Sequence, residues 1–294
     1  NFADYIRKQT GFVLNPDSRF DVQVKRLHEY KRQLLNVLKI IDKYLTVRDN
    51  PNVDVTPETF IFGAKAAGGY YHAKRIISLI NCLSDEINRS PAVKSKVDVM
   101  FLENYNVTKA EHIIPAAEVS EQISLAGKEA SGTSNMKFML NGAITLGTVD
   151  GANVEIAERV GKDNIFTFGL LTDEVEKLWR DGYNASAVYS NNPRVRRVVD
   201  ALRAGFNGQS FGDIADYLTI GTNYVADPYM VLRDFDDYLR AAGEMDAAYR
   251  DRVRWNRMSL NNIAESGTFA ADRSIREYAD NIWHLSPVKL REEI

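Results

Sequence analysis

The amino-acid sequence predicts an α/β fold in which helices cover both faces of a parallel sheet and the C-terminal part is mainly helical. Short segments with the pattern of β-strands recur along the chain, and longer segments with helical periodicity separate them. Strands and helices that alternate in this way are typical of Rossmann-like sheets. No Pro- or Gly-rich linker and no internal repeat interrupts this order, so we expect one domain over residues 1–294.

Five segments carry the strand pattern. Val97, Val99 and Phe101 occupy every second position, as side chains on one face of a strand do. The predicted strands cover residues 20–24, 59–62, 97–101, 143–148 and 164–168. Ligands bind such sheets at the carboxyl ends of the strands. We expect Lys25, residues 63–69, Tyr105 and Glu129 to converge there.

Helical periodicity is clearest after the first strand, where apolar side chains recur at spacings of four, three and four residues. They are Leu34, Leu38, Ile41 and Leu45. Further helices are predicted over residues 73–87, from near Asn135, from Asp173 and Glu174, and through most of the chain after Pro193.

The composition excludes several classes of protein. A net charge of −3 argues against a nucleic acid or an anionic membrane surface as partner. No apolar run is long enough to span a bilayer. The single cysteine, Cys82, excludes an intrachain disulfide framework, fits a reducing cytoplasm, and lies in an apolar helical pattern where it would pack in the core. The four histidines lack the paired spacing of metal ligands, so we expect no metal.

The most informative segment is EASGTSNMKFMLNGAITLGTVDGANVE, residues 129–155. A turn of small residues before a helix exposes backbone N–H groups, which suit a phosphate. Lys137, one helical turn later, could pair with that anion or form a Schiff base with an aldehyde cofactor. An ordinary glycine-rich turn with a surface lysine is the alternative interpretation.

A second segment, FDVQVKRLHEYKRQLLN at residues 20–36, concentrates positive charge. On one continuous helix Lys25 and Lys31 would point about 120° apart. They can converge only if Lys25 and Arg26 lie in a loop before the helix. A solvated basic patch is the alternative.

Together these segments resemble the α-glucan (glycogen or starch) phosphorylases. Residues 129–155 are similar to their pyridoxal-phosphate attachment region and residues 20–36 to their phosphate-handling segment. Further similar segments follow in the family's order: GAKAAGGYYHAKRII at residues 63–77, FLENY at 101–105 and SGTFAADRSIREYADNIW at 266–283. The resemblance implies the cofactor-bearing, C-terminal half of a GT-B glycosyltransferase. Family members are longer, so we expect this chain to be a fragment without their N-terminal domain.

The resemblance assigns roles in binding pyridoxal 5′-phosphate. Lys137 is the expected Schiff-base lysine, Lys25 would contact the cofactor phosphate, and Tyr105 would lie against the ring unless it is a core aromatic. Gly132, Thr133 and Ser134 would supply further donors. The family commonly has glycine where Ser134 stands, and serine is small enough not to block the site.

The resemblance also assigns roles toward the substrates. Arg26 and Lys31 would hold the substrate phosphate, since arginine makes forked phosphate contacts and lysine supplies a movable charge. The segment Glu129, Ala130, Ser131 and Gly132 would bind hydroxyls of the transferred glucosyl unit. Tyr70 would lie near the entrance, where AAGGY replaces the usual AAPGY, whereas we expect His72 to be structural.

The implied reaction is phosphorolysis of a terminal α-1,4-linked glucose from glycogen, starch or maltodextrin. Inorganic phosphate would give glucose 1-phosphate with retained configuration, in a full-length homodimer. Two alternatives stay open: a GT-B synthase using a nucleotide sugar, which needs no Schiff-base lysine, and a non-catalytic fragment that binds pyridoxal phosphate or glucan. We expect no turnover by the isolated chain.

Overall fold

The computed structural model describes residues 2–221 and 225–288, which contain a sheet of six parallel strands. The strands are β1 (Arg19–Val24), β2 (Glu58–Gly63), β3 (Val97–Leu102), β4 (Val119–Gln122), β5 (Ile144–Thr148) and β6 (Phe166–Phe168). Their spatial order is β3-β2-β1-β4-β5-β6, the order of a Rossmann sheet. Strands β2 and β3 thus lie on one side of β1, and the chain then crosses back so that β4, β5 and β6 lie on the other side.

The five predicted strands are confirmed, but the prediction missed β4. Its sequence, Val-Ser-Glu-Gln, has no apolar alternation although all four residues are buried. Only two residue pairs join β1 to β4, Asp21 with Val119 and Val22 with Ser120. The two strands therefore separate toward their carboxyl ends, at the point where the strand order reverses. Sheets of this topology bind ligands in that crevice.

Fourteen α-helices occur in the described ranges. They are α1 (Phe2–Thr10), α2 (Gln33–Asp49), α3 (Tyr71–Asn88), α4 (Pro91–Lys94), α5 (Val107–Ile113), α6 (Ser134–Leu140), α7 (Asn153–Val160), α8 (Thr172–Asp181), α9 (Ala185–Asn191), α10 (Pro193–Ala204), α11 (Gly212–Thr219), α12 (Val231–Arg250), α13 (Arg252–Glu265) and α14 (Ala271–Tyr278). Shorter helical turns are Glu29–Lys31, Ile114–Ala116, Lys162–Asn164, Ser266–Phe269 and Ala279–Trp283. The predicted helices are confirmed, whereas α1, α4, α5, α7 and α9 were not predicted.

The start and end of α10 show how local sequence sets helix boundaries. Asn192 Oδ1 accepts hydrogen bonds from the backbone N–H groups of Arg194 and Val195, at 3.0 and 3.1 Å. Pro193 follows at the first helical position, where its missing N–H costs nothing. Gly205, with φ of 92°, ends the helix in a backbone conformation that disfavours other residues.

Helices cover both faces of the sheet, as predicted. Alternate residues of β1 point in opposite directions. Phe20, Val22 and Val24 pack on the face covered by α1, α5 and α6, in a cluster that includes Ile6 and Phe138. The larger cluster on the opposite face contains side chains of α2, α3, α10 and α12. Helix α2 is buried on nearly every side because it lies between the sheet and the C-terminal helices.

The larger face also contains a buried charged cluster. Lys39 Nζ on α2 lies 2.7 Å from Asp21 Oδ2 and 2.5 Å from Glu121 Oε1, so one side chain links β1 to β4. The Tyr238 hydroxyl on α12 donates to the same Glu121 oxygen at 2.8 Å. Burial, followed by the charge of Glu121, raises the pKa of Asp21 well above its usual value. This link stabilises the spacing of the two strands below the crevice.

The C-terminal part is mainly helical, as predicted. Helices α10 and α12 both pack on α2, and α13 packs on α6 and α7. Cys82 on α3 packs at the edge of the larger core cluster, half-buried. Among the helices of residues 2–221 and 225–288, none is both long and apolar enough to cross a lipid bilayer.

Candidate active site

A cleft of about 550 Å³ lies at the carboxyl ends of the strands. Ten of the eleven predicted site residues line it: Lys25, Arg26, Lys31, Tyr105, Glu129, Ser131, Gly132, Thr133, Ser134 and Lys137. The structure therefore brings together residues that are more than 100 positions apart in the sequence. Ala130 does not line the cleft, and residues 63–69 lie outside its wall.

The basic segment satisfies the geometric condition for convergence. Lys25 and Arg26 directly follow β1, the turn Glu29–Lys31 comes next, and α2 begins only at Gln33. Lys25 and Lys31 are therefore not on one helix, and both face the cleft.

Lys25 is positioned by a residue that the sequence did not suggest. Its Nζ donates a hydrogen bond of 2.7 Å to Oε1 of Gln122, the last residue of β4. The Gln122 amide nitrogen lies 3.3 Å from Ser134 Oγ. Gln122 thus connects the end of β1 to the glycine-rich turn. The partners are 97 positions apart, so no local motif reveals this contact.

The electrostatics around Lys25 favour an anion. Burial, followed by the positive charge of Lys31, lowers the pKa of Lys25 to about 8, and Glu129 and Glu121 only partly oppose this. Lys25 remains protonated at neutral pH, but its charge is destabilised. A phosphate in the cleft would relieve that cost.

Lys31 pairs with the predicted sugar-binding acid. Its Nζ lies 2.5 Å from Glu129 Oε2, and the two side chains are 17% and 22% exposed. Burial lowers the pKa of Lys31, but hydrogen bonding to Glu129 and Tyr30 outweighs it, so the pKa is raised overall. Lys31 Nζ also lies 4.6 Å from the centre of the Tyr30 ring.

Two cations at the cleft are available to a ligand. Across residues 2–221 and 225–288, the guanidinium group of Arg26 and the ammonium group of Lys137 have neither a hydrogen-bond nor an ion-pair partner. Both side chains are exposed. Lys137 lies on α6, whose first turn follows the small residues Gly132 and Thr133.

Arg32 directly follows and anchors the basic turn, by which we mean residues 25–31, and sequence reasoning gave Arg32 no specific role. It is fully buried, with a left-handed backbone at φ 55° and ψ 38°. Its guanidinium donates to the carbonyl of Ile123 at 2.7 Å and to that of Ser124 at 3.3 Å. It also pairs with Asp234 Oδ2 at 2.6 Å. The turn is thereby attached to both the segment after β4 and the helical C-terminal part.

The segment after β5 supports the loop that carries Glu129. Asp150 accepts hydrogen bonds from the backbone N–H groups of Gly127 and Glu129, at 3.0 and 2.9 Å. Gly151 has φ of +53°, and a Cβ atom there would lie 2.6 Å from the Ser131 carbonyl oxygen. Only glycine lets the two loops approach this closely. These residues belong to the informative segment, yet nothing in their order showed that they would fold back on it.

The replacement of glycine by Ser134 has a simple structural basis. Ser134 is the first residue of α6, and positive φ in this turn falls on Gly132, at +81°. Serine is therefore compatible with the backbone at this position.

Aromatic residues near the cleft fall into two groups. Tyr105 lines the cleft, half-buried, and burial raises the pKa of its hydroxyl. Tyr70 lies outside the wall, and its hydroxyl bonds to the Glu29 carboxylate. The His72 ring lies 4.0 Å from that of Tyr217, and burial lowers the pKa of His72.

The fold and the cleft define a Rossmann-type α/β protein with a cationic cleft at the reversal of strand order, lined by a lysine that has no partner among the described residues. Comparison with known proteins agrees with this class: the profile of the carbohydrate phosphorylase family matches residues 1–285. The chain belongs to the carbohydrate phosphorylase family.

Individual relatives are similar along the whole chain. It is 50% identical to a glycogen phosphorylase of Synechocystis sp. over 294 residues, which is all of this chain and 34% of the relative. It is 51% identical to a glycogen phosphorylase of Bacillus subtilis over 290 residues, or 97% of this chain and 36% of that protein. The muscle form of human glycogen phosphorylase is 46% identical over 291 residues, 99% of this chain and 34% of the human protein. The chain thus spans about a third of the length of these relatives.

Proposed function

We propose that this chain is the cofactor- and phosphate-binding part of an α-glucan phosphorylase that depends on pyridoxal 5′-phosphate. The observation that carries the proposal is the convergence of Lys25, Arg26, Lys31, Glu129 and Lys137 on one cleft. In the complete enzyme, inorganic phosphate removes a terminal glucose from an α-1,4-glucan and yields glucose 1-phosphate with retained configuration. Relatives named glycogen phosphorylase, at about half identity, support this reaction class.

The residues present fit the cofactor. The Lys137 ammonium is exposed and, among the described residues, unpartnered, so its amine is available to the cofactor aldehyde. Lys25 and the turn Gly132–Ser134, which are linked through Gln122, would hold the cofactor phosphate. When bound, the cofactor supplies a phosphate group that can exchange a proton with the substrate phosphate.

Arg26 and Lys31 would bind inorganic phosphate. Two phosphate dianions side by side repel each other by several kcal/mol at an intermediate dielectric, so the cleft needs concentrated positive charge. Arg26 is free to make a forked contact, and Lys31 can exchange its ion pair with Glu129 for one with phosphate. Glu129, once released, can accept hydrogen bonds from sugar hydroxyls.

The other wall of the active site would come from a further part of a longer chain. The support is the length of the relatives, of which this chain matches 34–36%. We propose that the 294-residue chain binds cofactor but shows no phosphorolysis alone. The full-length enzyme would be a homodimer acting on glycogen, starch or maltodextrin.

Covalent labelling tests the proposal. The chain would be incubated with pyridoxal 5′-phosphate, reduced with borohydride and mapped by peptide mass spectrometry. We expect one phosphopyridoxyl group, on Lys137, and its loss in Lys137→Arg. Lys128→Arg, which changes an exposed lysine nearby in sequence, is the matched control and should leave the label in place. A label spread over several surface lysines, or none on full-length protein, would contradict the assignment.

A further inference from the structure

The Glu29 carboxylate accepts hydrogen bonds from two tyrosine hydroxyls that come from separate parts of the fold. Tyr70 lies in the segment between β2 and α3, and Tyr217 lies on α11 in the helical C-terminal part. Tyr70 Oη also accepts a hydrogen bond of 3.2 Å from the Glu29 backbone N–H. Both the side chain and the backbone of Glu29 are therefore fixed.

Glu29 begins the turn Glu29–Lys31, which follows Arg26 and ends at Lys31, the two residues proposed to bind phosphate. The turn closes through hydrogen bonds from Lys31 N to the His28 carbonyl and from Arg32 N to the Glu29 carbonyl, both 3.0 Å. The buried Arg32 holds its far end, so the tyrosines and Arg32 fix the turn at opposite ends.

Helix α11 is a rigid support for the Tyr217 hydroxyl. Ile214 and Leu218, on either side of Tyr217, are fully buried in the larger core cluster. At the start of the same helix, Asp213 pairs with Arg75 of α3 at 2.7 Å. The position of the hydroxyl is thus set by the core and not by the turn that it contacts.

We infer that Tyr217 is a positioning residue: by holding Glu29, it fixes the turn that presents Arg26 and Lys31 to the cleft. The inference rests on the proposed function, because it gives the turn a role in binding phosphate. Hydrogen bonds to an ionised carboxylate are stronger and shorter than neutral ones, and two of them restrict both carboxylate oxygens. The helical C-terminal part thereby contributes to an anion site that it does not line.

The test uses Tyr217→Phe in the full 294-residue chain, which removes the hydroxyl and keeps the ring against His72. Hydrogen exchange is measured by mass spectrometry, and affinity for inorganic phosphate by ³¹P NMR titration. We expect exchange at the amides of Lys31 and Arg32 to rise on the order of tenfold. Phosphate binding should weaken several-fold, while peptides from the sheet keep their protection.

Tyr189→Phe is the matched control, since it removes an exposed hydroxyl that bonds Asp200 at 2.7 Å. It should change neither measurement. Glu29→Gln is the second variant, should Tyr217→Phe fold poorly, and it should loosen the same turn. Unchanged exchange in the turn, or an equal rise in every peptide, would overturn the inference.

The same data separate this inference from the proposed function. If the wild-type chain bound neither inorganic phosphate nor pyridoxal phosphate, the proposed function would fail, yet the exchange of the turn would still test the link from Tyr217 to Glu29. If Lys137 were labelled and phosphate bound, but Tyr217→Phe changed nothing, only the inference would fail.

Discussion

Lys31 Nζ lies 2.5 Å from Glu129 Oε2, so the last cation of the basic turn and the acid in the loop that precedes α6 form an ion pair across the cleft. Under the proposed function, Lys31 binds the substrate phosphate and Glu129 binds hydroxyls of the sugar. Each ligand must therefore displace or share this contact. The ion pair orients both side chains before the substrates bind.

The first prediction is that Glu129→Gln strengthens binding of inorganic phosphate alone. The substitution removes a negative charge from the cleft and releases Lys31 to bind the anion, so affinity should rise. Because the energy of a partly exposed ion pair is small, we expect the gain in affinity to be only roughly fivefold. Titration of the chain with inorganic phosphate measures it. Glu176→Gln removes the same charge from an exposed position on α8 and should have no effect. Weaker phosphate binding by Glu129→Gln would show that Glu129 supports the anion site instead of competing with it.

The second prediction concerns pH. The pKa of Lys25 is lowered to about 8, first by burial, so the side chain is charged below that pH and neutral above it. Affinity for pyridoxine 5′-phosphate, which has no aldehyde, should therefore fall between about pH 7 and pH 9.5, where the phosphate itself stays doubly charged. Fluorescence titration over this range measures the fall.

Two variants identify Lys25 as the titrating group. Lys25→Arg keeps its charge throughout this range and should remove the pH dependence. Lys25→Met should bind weakly at every pH. An unchanged fall in affinity in Lys25→Arg would assign the titration to another residue.

The sequence predicted the elements whose pattern is local. Alternating apolar residues predict strands such as Val97–Leu102, and apolar residues at helical spacing predict α2 and α3. Strand β4 did not, because its polar side chains are satisfied by distant partners: Glu121 by Lys39 and Tyr238, and Gln122 by Lys25. A strand buried through charge pairing has no apolar signature.

The same reason separates the predicted site residues from those that were missed. Motif similarity indicated Lys137 and the basic turn, and the topology brought them together. Arg32 and Asp150 act through contacts with residues elsewhere in the chain, Asp234 in one case and Gly127 in the other. Such positioning roles depend on which loops become neighbours, and spacing within a motif does not encode that.

The third prediction concerns stability and pH. Burial raises the pKa of Asp98 on β3 to about 6, which exceeds its unfolded value near 4. The folded state therefore binds this proton more tightly, so the stability that Asp98 contributes is complete below about pH 4 and is lost as pH rises through 6. Asp98→Asn keeps the acceptor for the Val99 N–H. Its free energy of unfolding should therefore rise relative to that of the wild type, by up to about 3 kcal/mol, as the pH increases from 4 through 6. Urea unfolding from pH 4 to 7 measures it, with the exposed Asp163→Asn as control; parallel curves for wild type and Asp98→Asn would contradict it.

The fourth prediction is that Arg32→Met destabilises the fold far more than removal of an exposed arginine. Arg32 and Asp234 are 0% and 2% exposed, so the variant leaves a buried carboxylate without its cation, which costs about 3–5 kcal/mol. Asp234 still accepts from the Leu170 N–H at 3.2 Å, so adding Asp234→Asn should recover part of the loss. Arg48→Met, which breaks a half-exposed pair with Asp49, should cost no more than about 1 kcal/mol. Denaturant unfolding of the wild type, the two single arginine variants and the double variant measures these free energies. Equal losses of stability in Arg32→Met and Arg48→Met would show that the buried pair contributes no more than the exposed one.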